Sequence, residues 1–125
     1  MPEEWFRRAE EDVLAARLLL GTAEVPNVVG YLVQQGIEKG IKGFLLARGI
    51  PLRRIHALDA LLDDATDAEP GLERWRDLCL QATVFHLTQR YPGMAAEPLG
   101  EEQLEEMVEE AGALLDALRT AARDT

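Results

Sequence analysis

The stretch Gln34-Gln35-Gly36-Ile37-Glu38-Lys39-Gly40-Ile41-Lys42-Gly43 decides how the chain folds. Wound at about 100° per residue and extended on both sides, it separates into three stripes. Val33, Ile37, Ile41 and Phe44 form an apolar face. Gln35, Glu38, Lys39 and Lys42 lie roughly opposite. Gly36, Gly40, Gly43 and Ala47 recur at i, i+4, i+7 and i+11 between them. The result is a helix with almost no side chains along one side. An interior glycine costs about 1 kcal/mol relative to alanine, so close contact must offset three of them. Gly36, Gly40 and Gly43 read as an interface where another helix approaches, from the same bundle or from a second subunit. The competing reading is a backbone groove that admits a flat ligand such as a nucleotide base.

Helical patterning continues in both directions. Trp5, Ala9, Val13, Ala16 and Leu20 recur at steps of three and four, which predicts an amphipathic helix from Pro2 to about Leu20. Pro2, Glu3 and Glu4 suit its positive end, and Gly21-Thr22 stops it. Asn27 is a candidate cap for the second helix, which Gly49 and Pro51 end after Arg48. A third, short helix is expected from Leu52 or Ile55 to about Ala65, with a turn or loop from Asp63-Asp64 to Pro70-Gly71. Leu72, Trp75, Cys79, Ala82 and His86 mark a fourth helix to about Gln89, closed by Tyr91-Pro92-Gly93. Leu104, Met107, Val108, Ala111, Leu115, Leu118 and Ala122 give the cleanest periodicity, with glutamates at its start and Arg119 and Arg123 at its end. The expected fold is all-α: one domain over residues 1–125, an up-and-down antiparallel bundle of four long helices plus one short helix.

Composition agrees with a globular helical protein: 125 residues, 47% hydrophobic and 29% charged, with few aromatic residues. The net charge of −10 opposes general DNA binding, because phosphate contacts need a basic field. Residues 34–56 invert the balance, with Lys39, Lys42, Arg48, Arg53 and Arg54 against Glu38 alone. A lone Cys79 forms no internal disulfide, and no Cys/His set has metal-ligand spacing. No apolar run approaches the roughly 20 residues that span a bilayer, and the Met-Pro-Glu-Glu start is acidic where a signal peptide is basic. A cytoplasmic protein without membrane contact, metal or cofactor is expected.

Several residues invite chemistry. Glu38 and Lys42 form an i, i+4 pair, which by spacing alone is a surface ion pair worth a few tenths of a kcal/mol. Gln35 and Lys39 share that face, so together they offer a surface for phosphate or a base edge. His56 follows Arg53 and Arg54 near a helix start, as an anion contact or an exposed cap. His86 continues a buried stripe and reads as a core or interface histidine, and Cys79 as inert packing. No nucleophile with a base at known spacing and no phosphate-binding glycine loop appears.

Three segments, taken in order, resemble the HEPN family of small helical domains from higher eukaryotes and prokaryotes. Gln35, Glu38, Lys39 and Lys42 resemble its Gln-x-x-Glu-Lys-x-x-Lys core, His56-Ala57-Leu58 its His-x-Leu, and Leu87-Thr88-Gln89-Arg90-Tyr91-Pro92 its Leu-Thr-x-x-Arg-Tyr-Pro helix end. The resemblance implies a homodimeric helical bundle that binds a nucleotide through Gln35, Glu38, Lys39, Lys42, His56, Arg90 and Tyr91, often beside a minimal nucleotidyltransferase partner. It also implies a departure. HEPN ribonucleases share Arg-x(4–6)-His, yet the windows before His56 and His86 hold Gly49, Ile50, Pro51 and Cys79, Leu80, Gln81. No catalytic residue is therefore assigned. A binding module is expected ahead of a metal-independent ribonuclease or a purely structural oligomerisation subunit.

Overall fold

The computed structural model describes residues 1–21, 26–90 and 100–123, without the side chains of residues 26, 27 and 85–90. Five helices follow one another: α1 (Pro2–Leu19), α2 (Pro26–Ala47), α3 (Leu58–Ala68), α4 (Arg76–Arg90) and α5 (Glu101–Arg123), with a 3-10 turn, Pro70–Trp75, leading into α4. No strand occurs among the described residues.

Local chemistry sets the ends. Pro2 occupies the first turn of α1, with Glu3 and Glu4 beside it. At the close of α2, Gly49 takes φ +72°. Its N–H donates to the Leu46 carbonyl at 3.1 Å, while the Ile50 N–H reaches back to Leu45 at 2.8 Å. This paired closure needs a residue that tolerates a left-handed backbone. Arg48 then joins three helix ends: its guanidinium donates to the last carbonyls of α5 (Ala121, 3.3 Å) and α3 (Ala68, 3.2 Å). At the start of α5 the Gln103 side chain accepts from the Gly100 N–H at 2.9 Å.

Helix α2 runs through the middle of the bundle, touching α1, α3, α4 and α5. Val33, Ile37, Ile41, Phe44 and Leu45 on α2 are sealed against Phe6, Ala9 and Val13 of α1, Leu58, Leu61 and Leu62 of α3, Leu78 and Cys79 of α4, and Leu114 and Leu118 of α5. Burial on this scale, at roughly 25 cal/mol per Å² of apolar surface, supplies the main driving force for folding.

The glycine stripe is filled from within the chain. A Cβ at Gly36 would lie 2.9 Å from Val13 Cγ2 and 3.2 Å from the Ala9 carbonyl; at Gly43 it would lie 3.1 Å from Trp5 Cβ; at Gly40 it would overlap the Leu115 side chain. Advancing along α2 from Gly36 to Gly43 retreats along α1 from Val13 to Trp5, so the two helices are antiparallel. The approaching helices are α1 and α5 of the same bundle, and the space above the glycines holds their side chains in place of a ligand-sized cleft.

Two boundaries differ from the sequence reading. Helix α3 starts at Leu58, because residues 50–57 are non-helical, and runs on through Asp63, Asp64 and Asp67 to Ala68. Those acids decorate a helix whose Leu58, Leu61, Leu62 and Ala65 are buried at helical spacing. Asp64 is held by Arg53 in a two-pronged contact at 2.8 and 2.9 Å, and Asp63 by Arg76 at 2.7 Å. The Leu72–Trp75 part of the expected fourth helix is the 3-10 turn begun by Pro70.

Gly36→Leu should destabilise the fold by about 2 kcal/mol or more through overpacking against α1. Gly112→Ala on α5, where a new Cβ would meet only the far end of Arg17 at 3.3 Å, should stabilise it by about 0.5–1 kcal/mol. Urea denaturation of the two variants checks both signs.

Candidate functional site

One buried carboxylate gathers the polar residues of α2. Gln34, Glu38 and Lys42 are 1%, 6% and 9% exposed, the three buried polar side chains among the described residues. Their i, i+4 spacing stacks them on one line of the helix. Glu38 Oε1 accepts from Gln34 Nε2 at 3.1 Å, and Gln34 Oε1 in turn accepts from Gln35 Nε2 at 2.8 Å. Glu38 Oε2 takes Lys42 Nζ at 3.1 Å and faces His56 Nδ1 at 3.0 Å. Lys42 Nζ also lies 5.9 Å from the centroid of the Trp5 ring, where the aromatic face favours a cation.

The Glu38–Lys42 pair is therefore an interior contact, with side chains 8% and 11% exposed. The expectation of a surface ion pair is corrected. Four other helices surround α2, so the stripe opposite its apolar face meets protein as well. A carboxylate placed there needs donors on both oxygens, and it has them.

His56 ends the non-helical segment before α3. Its side chain is 69% exposed although its ring nitrogen reaches the buried Glu38. A carboxylate offers only acceptors, so Nδ1 is the donor in this contact and Nε2 is the nitrogen presented to solvent. The next residue, Ala57, caps α3 without a side-chain hydrogen bond, which leaves backbone N–H groups at the helix start unclaimed by any side chain.

Of the five cations in residues 34–56, four are committed. Lys39 turns to α1 and binds Asp12 at 2.6 Å. Lys42 is held by Glu38, Arg48 by helix ends and Arg53 by Asp64. Arg54 is exposed and has no partner among the described residues. The structure thus brings Gln35, Glu38, Lys42 and His56 into one connected group and sets Lys39 apart on the α1 side. The side chains of Arg90 and His86, and all of Tyr91, lie outside the described residues.

Sequence reasoning passed over Gln34 and Trp5 as site residues. Gln34 carried a usable signal, since it precedes Glu38 by one helical turn. Trp5 carried none, because its meeting with Lys42 depends on how α1 crosses α2.

Cys79 is buried, and burial pushes its thiol up to about 12, which disfavours the reactive thiolate. Among the described residues, no group of His, Cys, Asp and Glu is arranged to hold a metal ion, and no helix is long and apolar enough to cross a membrane.

Comparison with known proteins adds three findings. The HEPN domain family model matches residues 2–121. A protein of Methanocaldococcus jannaschii described as a putative toxin is 30% identical over 129 aligned positions, which cover 92% of this chain and 84% of the relative. The crystal structure of an archaeal HEPN homologue aligns with a TM-score of 0.78 at 24% identity, over 98% of each chain, a likeness of fold.

Two outcomes are expected. Glu38→Ala should cost about 3–5 kcal/mol in denaturant unfolding, because it strands the buried Lys42 ammonium, and Lys42→Met should cost less, because Glu38 keeps Gln34 and His56. The second concerns Cys79. An unfolded thiol ionises near pH 8.5, whereas the folded one holds its proton to about 12. The unfolded state therefore releases the proton first, and stability falls as pH rises above about 9. Between about pH 8 and about pH 10.5 the wild type should lose about 2 kcal/mol more than Cys79→Ala, measured by urea midpoints at each pH.

Proposed function

The chain belongs to the HEPN domain family, and on that footing we propose that it is a non-catalytic module that binds a nucleotide or similar phosphorylated ligand. In this reading it acts as a homodimer and as one component of a two-component, toxin–antitoxin-like system with a nucleotidyltransferase partner. The observation that carries the ligand reading is the Glu38 network, which holds an exposed histidine from beneath. Glu38 is one of the least accessible polar groups of the chain, yet its donor His56 stands on the surface.

Each residue then has a role. His56 Nε2 and the exposed Arg54 guanidinium meet the phosphate, and the N-terminus of α3, without a side-chain cap, adds backbone donors and a favourable dipole. Glu38 fixes the imidazole ring, Lys42 holds that carboxylate in place, and Gln34 and Gln35 extend the network toward a base edge. Lys39, tied to Asp12, serves the α1–α2 contact. Arg90 and Tyr91 complete the ligand set that the family resemblance implies. The relative described as a putative toxin supports the two-component reading, and the short share of free cations supports a small anionic ligand over a long nucleic acid.

A second reading is favoured by one geometric fact. A histidine oriented by a carboxylate through Nδ1, with Nε2 free, is suited to move a proton. A metal-independent ribonuclease would use His56 in that way. The absence of Arg-x(4–6)-His before His56 and His86 weighs against it.

Calorimetric titration with ATP and GTP should show binding that His56→Ala and Arg54→Ala each weaken by about 10-fold or more, the loss of one charge-assisted hydrogen bond. Arg54 is exposed and has no partner among the described residues, so its loss should leave folding unaffected. His56→Ala removes one donor from the buried Glu38, so Arg54→Ala is the variant that reads ligand binding alone. No binding at millimolar nucleotide, or unchanged affinity in both variants, would sink the ligand reading. RNA cleavage that His56→Ala abolishes would replace it with the ribonuclease.

A further inference from the structure

Helix α1 has a second apolar stripe that its core packing does not use. Phe6, Ala9, Val13 and Ala16 face inward, whereas Leu14 and Leu18, one turn apart, are 51% and 74% exposed. Leu14 opens onto a groove of about 410 Å³ between α1 and α5. The groove exists because α5 presents Gly112 and Ala113 there, leaving Val13 and Leu115 as its floor. Arg17 lies across one end, its guanidinium beside Gly112.

The rim carries three acids, Glu10, Glu109 and Asp116, against one cation, Arg17. Glu109 and Asp116 border the groove and have no partner among the described residues. Glu10, also on the rim, is already held by Arg119 at 2.7 Å. From Glu101 to Asp116 the sequence of α5 contains six glutamates and one aspartate and no lysine or arginine. Exposed leucines at i, i+4 beside such a rim form a surface for one kind of occupant.

We infer that the α1–α5 groove docks a basic amphipathic helix supplied by another protein. Its apolar residues seat against Leu14 and Leu18, and its lysines or arginines meet Glu109 and Asp116. A second copy of this chain is a poor occupant, because a two-fold contact brings the same patch from both copies together, and that patch carries Glu10, Glu109 and Asp116 against Arg17 alone. An anionic lipid surface is opposed by the same charge. This surface is independent of the Glu38 network and of the nucleotide reading.

The test uses the full chain and a synthetic Leu/Lys peptide with leucines at i, i+3 and i+4 spacing, followed by amide chemical-shift mapping. One-to-one binding is expected, with shifts confined to residues 10–18 and 109–117. Leu14→Ser combined with Leu18→Ser should weaken it by about tenfold or more, and a Leu/Glu peptide should not bind. Three results would overturn the inference. The first is affinity unchanged in the double variant with shifts spread along all of α5, which would mean charge attraction alone. The second is no binding at millimolar peptide. The third is a wild-type dimer that the double variant dissociates, which would assign the groove to a second copy.

Discussion

The placement of α2 at the centre of the bundle sets the environment of its own polar residues, Gln34, Glu38 and Lys42. Helices α1 and α5 close over Gly36, Gly40 and Gly43, so that a Cβ at Gly36 or Gly40 would collide with Val13 or Leu115. That approach leaves Glu38 and Lys42 buried on a helix that already carries six buried apolar residues, Val29, Val33, Ile37, Ile41, Phe44 and Leu45. An ion pair that would contribute little on a surface becomes an interior group whose loss strands a charge. Three interior glycines, costly for an isolated helix, are the condition for that geometry.

Burial then does something to the surface above it. Glu38 holds donors from its own helix on both oxygens and reserves one contact for His56, which lies in the segment leading to α3. The histidine is thus fixed from the core while its outer nitrogen stays in water. Arg53, bound to Asp64, pins the same segment to α3, and Arg54 between them has no partner among the described residues. A loop anchored at two points, with one imidazole and one guanidinium facing outward, is better prepared for an anion than either residue on a free loop.

Much of the fold was legible because α1, α2 and α5 show strong helical periodicity and clear stop signals. The expected bounds of Pro2 to about Leu20 and Asn27 to Arg48 lie within a residue of Pro2–Leu19 and Pro26–Ala47. The start of α3 differs from the sequence reading because Leu52 and Ile55 pack against the core from non-helical backbone, and apolar spacing alone does not distinguish that from a helix. Its end was misjudged because Asp63, Asp64 and Asp67 read as a solvated loop, while Arg53 and Arg76, distant or across a turn in sequence, pair with two of them. For the site, spacing placed Gln35, Glu38 and Lys42 on one face but gave no measure of burial. The engagement of Lys39 with Asp12, and of Lys42 with Trp5, depends on the crossing of α1 over α2, which no local pattern encodes.

The imidazole ¹⁵N resonances of His56, recorded in the wild type and in Glu38→Gln, test the central link most directly. If Glu38 orients the ring, the wild type shows a protonated Nδ1 in a hydrogen bond and a distinct Nε2, and Glu38→Gln shifts the ring toward the tautomer mixture of a free histidine. Identical ring resonances in the two proteins would contradict it, and His56 would then be an ordinary surface residue.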